Sequence, residues 1–349
     1  LTQRLKGSGY FASVRVQTDR SRVDEKVVPI NVTLKASADN QLGFGLGYAT
    51  DTGPRTKMTW RRPHHNRQGH SLETSIGVSE IRQEFSSRYK IPKKQRPDTD
   101  YYRIDLGALN EKTDDYESRL RTVNAQRVRE TSNRWQESVF VRWEHETFET
   151  ADDSESIDLL LPGISWSRTR TSGGTNPASG DYFSVQFLGG HRDVFSDINM
   201  FKSVAALKWL YTLVPRHKLI LSLDYGAISS DNFDKVPTSH RFYVGGDRSI
   251  RGFRYNSISP ENSDGELTGG RYKEVASIEY DFNVHGKWSL ATFIDAGRAF
   301  DKFDERYRVG AGVGVRWQSP VGPLRIDLGA GVSEEDVPWR FHLSLSPDL

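Results

Sequence analysis

The chain has 349 residues, a formal net charge of +2, no cysteine and a mean hydropathy of −0.64. A charge this close to zero gives no reason to expect a nucleic-acid partner, because that binding depends on basic side chains. No apolar run approaches the roughly 18 residues that a transmembrane helix needs, which excludes helical spans. Transmembrane strands stay possible, since each needs only about 9–11 residues and every second residue can be polar.

The first 37 residues contain two strand-like segments, 7–17 and 27–37, joined by a polar turn at 18–26. Two strands alone bury too little surface to be stable. We therefore expect more of this unit upstream, with the chain being the C-terminal portion of a longer protein. The alternative is an ordinary hairpin that plugs a larger structure.

From residue 41 onward the chain alternates with a period of two, which is typical of strands with one apolar face. In residues 41–50 large side chains alternate with glycines, namely Leu42, Phe44, Leu46 and Tyr48 with Gly43, Gly45 and Gly47. Residues 308–318 and 324–332 repeat the pattern, and in residues 339–346 the apolar set includes Phe341, Leu343 and Leu345. A soluble β-sandwich alternates too, but its strands are usually only about 5–6 residues long. The pattern predicts an all-β protein, a 16-stranded antiparallel transmembrane β-barrel with its apolar face toward lipid.

The connections between these strands alternate in charge. The basic ones lie at 61–67, 92–96, 129–134, 168–174 and 215–218, and the acidic ones at 111–117, 149–155, 229–234, 301–305 and 333–338. Up-and-down strands produce this alternation when the two rims of a barrel face different surroundings. With the N-terminal unit in the periplasm, the basic turns and both termini are periplasmic and the acidic loops are extracellular.

Two charged residues stand out among glycines and hydrophobic residues. Arg251 lies in GGDRSIRGF, residues 245–253, inside a long polar loop at 229–268, and Asp295 lies in the strand-like FIDAG, residues 293–297. An isolated charge in each segment indicates a buried ion pair, whose partners are strongly coupled in a low dielectric. Gly245 and Gly246, followed by Asp247, favour a tight turn, because glycine accepts positive φ.

Together these motifs resemble the outer-membrane assembly barrels, the family of BamA, TamA and the two-partner-secretion translocators. GVGVRWQSPVGPLRIDLGAGV, residues 312–332, is similar to the family's penultimate hairpin, and residues 1–37 resemble the end of its periplasmic POTRA domain. The resemblance implies a barrel over residues 38–349 with the loop folded into its lumen. The implied anchor consists of Arg251, Gly252, Phe253, Asp295 and Gly297. Short extracellular loops and the sequence after Arg251 resemble TamA most.

The resemblance implies an outer-membrane insertase of Gram-negative bacteria. Its partners would be the lipid bilayer, client β-barrel proteins such as autotransporters, and a periplasm-spanning, TamB-like inner-membrane protein bound through the POTRA domains or the barrel. The alternatives are a two-partner-secretion pore and a passive porin, which should need neither a POTRA domain nor the Arg251 loop. We expect no enzyme activity, cofactor or metal, because no Ser/His constellation or metal-ligand pattern is present.

The first and last strands suggest a mechanism. Glycines in the first strand and Pro347, which has no N–H to donate, predict that the two strands pair poorly. The predicted lateral seam consists of Leu42, Gly43, Gly45, Gly47, Phe341, Leu343, Leu345 and Pro347. Backbone groups left unpaired at membrane depth cost several kcal/mol each, and an incoming client strand would satisfy them by β-augmentation.

Overall fold

The computed structural model describes residues 2, 5, 9–18, 28, 30–49, 53–113, 115–131, 133–150, 154–172, 177–319 and 322–345. The described residues include eighteen β-strands. They are β1 (Phe11–Thr18), β2 (Ile30–Ala36), β3 (Gln41–Ala49), β4 (Gly53–Arg62), β5 (Ser71–Ser79), β6 (Arg82–Pro92), β7 (Asp100–Lys112), β8 (Tyr116–Glu130), β9 (Trp135–Thr150), β10 (Ser154–Thr171), β11 (Ser179–Gly190), β12 (Met200–Val214), β13 (His217–Ser230), β14 (Tyr272–His285), β15 (Trp288–Phe300), β16 (Arg308–Ser319), β17 (Gly322–Gly331) and β18 (Trp339–Leu345). In the described residues no helix has the length and apolar character to cross a membrane.

Sixteen of the strands, β3 to β18, form a single antiparallel sheet in which each strand pairs with the next along the chain. The sheet curls until its two ends, β3 and β18, approach within 8 Å between Cα atoms. The prediction of a 16-stranded antiparallel barrel is therefore confirmed. β1 and β2 form a separate two-stranded antiparallel hairpin, and its assignment to a POTRA domain stays a prediction.

The two faces of the barrel wall differ as the alternation predicts. In β16, Val313 is 57% exposed whereas Arg316 is buried, and in β18, Phe341 is exposed whereas His342 is buried. Successive side chains of a strand point to opposite faces, so the exposed apolar residues cover the outer wall and the polar residues and glycines line the lumen. This is the arrangement of a barrel surrounded by lipid.

The up-and-down order places alternate connections on opposite rims. The N-terminal hairpin lies against one rim, where the Tyr10 hydroxyl donates to the Gly69 carbonyl at 2.6 Å and the Tyr10 ring packs on His64 at 4.4 Å. That connection, between β4 and β5, is one of the basic ones. The other basic turns share this rim, and the acidic loops lie on the opposite rim.

The long connection between β13 and β14 differs slightly from the predicted 229–268. β13 continues through Ser230, because Ser229 and Ser230 still pair with β12. β14 begins only at Tyr272, because Gly270 forms a bridge to Phe242 inside the loop. The connection is therefore residues 231–271, which we call the lumenal loop. It contributes Phe233, Val236, Phe242, Val244, Ile250 and Phe253 to the hydrophobic cluster that also contains wall residues of β9 and β10.

Replacing Ile294 by arginine tests which face of β15 meets lipid. Ile294 is 57% exposed at the middle of the strand, whereas its neighbours Phe293 and Asp295 are buried on the lumenal side. An arginine on the lipid face near the bilayer midplane costs about 2–4 kcal/mol. We expect Ile294→Arg to lower the unfolding free energy by that amount in urea titrations from phospholipid vesicles. Gln186→Arg on the polar lumenal wall is the control and should cost much less; equal losses would contradict the assignment of faces.

Candidate functional site

We call residues 245–253 of the lumenal loop the loop apex. The apex begins with a turn that depends on two glycines. Gly245 and Gly246 have φ angles of +110° and +97°, a region that other residues rarely adopt. A Cβ on Gly245 would collide with the Arg254 carbonyl oxygen, so the position has no room for a side chain. The Gly246 N–H donates to the Ile250 carbonyl at 3.2 Å and closes the turn around Asp247. The turn therefore fixes the direction in which Arg251, the residue after Ile250, enters the lumen.

Arg251 is buried and is held by Asp295 of β15 through three hydrogen bonds. Its Nε donates to Oδ2 at 2.7 Å, its Nη2 to Oδ1 at 2.9 Å and its backbone N–H to Oδ2 at 3.1 Å. The guanidinium also lies over the Phe293 ring, 3.4 Å from the centroid. Planar, two-pronged pairing of this kind fixes orientation as well as distance. The structure thus brings together the two isolated charges of the sequence.

Further charged residues complete a network around Arg251. Nη1 of Arg251 donates to Glu279 of β14 at 2.6 Å and lies 3.5 Å from an oxygen of Asp327. Arg316 donates to Glu279 at 2.9 Å and to Asp327 at 2.6 Å. The side chains that form this network are all at least nine-tenths buried, namely Arg251, Glu279, Arg316 and Asp327. Sequence motifs did not indicate that Glu279, Arg316 and Asp327 belong to the anchor. Their only signal in the sequence is a charge at a lumenal position of a strand.

The carboxylates also compensate the buried charge of Arg251. Burial alone would lower the pKa of the Arg251 guanidinium, but the hydrogen bond and charge of Asp295, with the charge of Glu279, raise that pKa above its ordinary value. Arg251 therefore stays a cation in the lumen. A buried cation needs paired anions, because uncompensated charge is very costly in a low dielectric.

Glycines let the loop apex lie directly on the wall. Gly252 has φ +98°, and a Cβ there would be 2.6 Å from the Ala330 carbonyl carbon of β17. A Cβ on Gly329 would be 2.8 Å from the Gly252 nitrogen, and one on Gly310 would collide with the Arg251 carbonyl oxygen. Phe253 is buried against Gly331. The backbone of the apex is therefore in contact with the backbones of β16 and β17.

Gly297 lies in β15, where it packs closely against β14, and its part in the loop anchor stays a prediction. A Cβ at this position would be 2.5 Å from the Glu274 carbonyl oxygen and 2.9 Å from a methyl carbon of Val275. Both neighbours belong to β14, so the absence of a side chain at Gly297 allows close pairing within the wall.

A second attachment of the lumenal loop lies on the far side of the lumen. Glu146 of β9 accepts hydrogen bonds from the Thr238 hydroxyl at 3.0 Å and from the Ser239 N–H at 3.1 Å. His240 bonds Glu144 of the same strand, with 2.6 Å between Nε2 and Oε2. β9 is eight strands from β17 in a sheet of sixteen. The loop therefore spans the lumen between opposite walls.

The residues of the predicted seam lie on the two end strands. In β3, Leu42, Phe44 and Leu46 are 59%, 75% and 81% exposed, and Gly43, Gly45 and Gly47 face the lumen. Phe341 of β18 is 50% exposed, Leu343 is half-buried, Leu345 ends the strand, and Pro347 lies outside the described residues. Within residues 41–49 and 339–345 no backbone pairing joins β3 to β18. Both strands thus have one unpaired edge in the part of the wall that the structure describes.

Comparison with known proteins agrees with this geometry. A model of the Omp85 superfamily domain matches residues 38–347, which include all sixteen wall strands. The chain belongs to the Omp85 superfamily. It is 28% identical over 223 residues to outer membrane protein assembly factor BamA of Nitratidesulfovibrio vulgaris, and 24% identical over 225 residues to BamA of Neisseria meningitidis serogroup B. These matches cover 58% and 52% of this chain but only 28% of each relative, so the matched part spans well under half the length of these relatives.

Two solved structures share the fold of this chain. BamA from Haemophilus ducreyi lacking POTRA domains 1–3 superposes with a TM-score of 0.82 at 15% identity, over 99% of this chain and 76% of that one. CdiB from Acinetobacter baumannii gives 0.62 at 14% identity, over 98% and 66%. Identities this low establish a common fold only. The closer resemblance to TamA within the superfamily stays a prediction.

Removing either partner of the central pair should loosen the barrel. Arg251→Ala leaves Asp295 without its cation and removes one of the cations that bond Glu279, and Asp295→Ala leaves the Arg251 cation without its main partner. Breaking a buried pair in this way costs about 3–5 kcal/mol. We expect that loss in urea unfolding, together with faster protease cleavage of the lumenal loop.

Arg248→Ala is the matched control, since Arg248 is an exposed arginine of the same loop. It should leave both measurements close to those of the unmodified chain. If Arg251→Ala and Asp295→Ala behave like Arg248→Ala, the pair does not hold the loop.

Proposed function

We propose that this chain is the membrane-embedded barrel of a protein that inserts or translocates other proteins at the outer membrane of Gram-negative bacteria. The observation that carries the proposal is the pair of unpaired edges on β3 and β18. Membership of the Omp85 superfamily and similarity to proteins named as BamA support it. The role is transport or insertion of protein chains rather than catalysis.

The chemistry of an open edge explains how such a barrel would act. Backbone N–H and C=O groups in the hydrocarbon layer find no water, and each unsatisfied group costs several kcal/mol. A client strand that pairs with β3 or β18 removes this cost, which is β-augmentation. The exposed Phe44 and Leu46 side chains beside the edge of β3 offer apolar surface to the same client. Folding of the client then supplies the driving force.

The finer proposal is an assembly factor of the TamA type. Several connections on the acidic rim are short, at residues 50–52, 80–81, 113–115 and 151–153, and the long one is folded into the lumen. Such a rim leaves little extracellular structure. The basic rim beside the N-terminal hairpin would face the periplasm and bind a periplasm-spanning, TamB-like inner-membrane partner, directly or through POTRA domains.

A secretion pore of the two-partner type is the second candidate, since CdiB shares the fold. Passage of an exoprotein through the lumen would require the lumenal loop to leave at least one of its walls. The hydrogen bonds of Arg251 and of Thr238 to opposite walls favour the insertase instead. Single-channel conductance would discriminate between the two functions. The lumen of a secretion pore should open when its exoprotein binds, whereas the lumen of an insertase should stay closed when its client binds.

Covalent closure of the seam tests whether opening is required. The chain has no cysteine, so pairs can be introduced without background. The pairs to scan combine Phe44 or Leu46 with Phe341 or Leu343, because these side chains share the outer face, and a disulfide needs Cα atoms within about 7 Å. We expect the linked barrel to stop assembling a client β-barrel in vesicles and the activity to return when the link is reduced.

Each single cysteine variant serves as the control and should remain active under oxidising conditions. Normal client assembly by a fully cross-linked barrel would show that the seam does not open. The function would then depend on disturbance of the bilayer or on the periplasmic domains.

A further inference from the structure

His342 connects the last strand of the barrel to the lumenal loop. It lies on the lumenal face of β18, between Phe341 and Leu343 on the outer face, and it is only 2% exposed. β18 pairs with β17 on one side, and within the described residues its other edge has no partner strand. Any contact from the lumen therefore has a large influence on the position of this strand.

The Gly252 N–H donates a hydrogen bond to Nε2 of His342 at 3.1 Å. A ring nitrogen accepts a hydrogen bond only when it carries no proton, so the proton of the neutral ring is on Nδ1. An imidazolium has no acceptor nitrogen and would not form this bond. The contact thus needs a neutral histidine, or another side chain with an acceptor at the same distance from the backbone.

The donor of this bond is placed by the central ion pair. Gly252 directly follows Arg251, whose backbone N–H and guanidinium both bond Asp295. The φ angle of +98° at Gly252 directs its own N–H along the wall, and the absence of a side chain allows contact with β17. A continuous set of contacts therefore runs from Asp295 through the loop apex to His342.

We propose that His342 is a positioning residue that holds β18 to the loop apex, so that seating of the loop determines how firmly the last strand is held. This inference rests on the proposed function, in which the free edge of β18 receives client strands. When the loop is seated, His342 fixes the lumenal face of β18. When the apex leaves the wall, β18 loses the hydrogen bond from Gly252 and is held less firmly at the seam.

Hydrogen–deuterium exchange on the full chain in phospholipid vesicles tests the proposal without a client. We expect His342→Leu to speed amide exchange in β18 about three- to tenfold, the range for loss of one buried hydrogen bond. Exchange in β7 to β9 should stay unchanged. His342→Gln should restore slow exchange, because its side-chain oxygen accepts a hydrogen bond. Ser344→Ala, on the same strand and the same face, should have no effect.

A double variant distinguishes positioning from a simple packing role. If His342 acts through the loop apex, adding His342→Leu to Arg251→Ala should not increase exchange beyond that of Arg251→Ala alone. Additive effects of the two changes would overturn the proposal, because residues without a shared interaction behave independently. Equal exchange in His342→Leu and His342→Gln would overturn it too. Where His342→Leu folds poorly, His342→Phe takes its place, because it keeps a planar ring but has no acceptor.

Client assembly is measured separately, so that the two proposals can fail independently. We expect His342→Leu to change the assembly rate and His342→Gln to keep it. A change in β18 exchange without a change in assembly would support the coupling and argue against client pairing at the seam. Unchanged β18 exchange in His342→Leu would overturn the coupling whatever the assembly rate.

Discussion

The buried guanidinium of Arg251 is the charge on which the loop and wall both depend. A cation in a low dielectric is tolerated only beside anions, and here Asp295 and Glu279 come from two neighbouring strands. Each carboxylate would in turn be costly without the cation. Replacing such a network by hydrophobic residues is often neutral or stabilising. The contribution of the network is therefore to fix the position of the loop rather than to add net stability. It allows one seated position of the loop, and the glycines of β16 and β17 provide the space for it.

The seated loop connects parts of the barrel that are far apart in the sheet. One attachment is to Glu144 and Glu146 on β9, and the other is to β14, β15 and β17 across the lumen. A curled sheet with an unpaired edge can change shape at low cost, since no ladder closes it within the part of the wall that the structure describes. A cross-lumen contact limits that freedom in the walls while leaving the edges themselves unpaired. The loop therefore stabilises the barrel without closing the seam.

Some of this arrangement is predictable from sequence, and the limits have physical reasons. The number of strands and the face on which each side chain lies follow from the alternation of apolar and polar residues, because burial along a strand repeats with a period of two. Arg251 and Asp295 stand out because glycines and hydrophobic residues surround them. Glu279 and Glu146 occupy ordinary lumenal positions, and only the depth of the loop decides which lumenal charges it meets. His342 does not lie in a recognisable sequence motif. Its contact depends on the register of β18 in the sheet and on the position of the Gly252 backbone, and neither can be read from the sequence.

Strand length explains how an unpaired edge is tolerated in a membrane. β3 has 9 residues and the described β18 has 7, whereas β8, β9 and β10 have 15, 16 and 18. Unpaired backbone groups cost free energy in proportion to their number at membrane depth. Short edge strands keep that number small and bring the remaining groups nearer to the interfaces, where water satisfies them. A short wall also favours local thinning of the bilayer, since mismatch is relieved by lipid. The short edge strands that lower this cost therefore also keep the unpaired edge close to water.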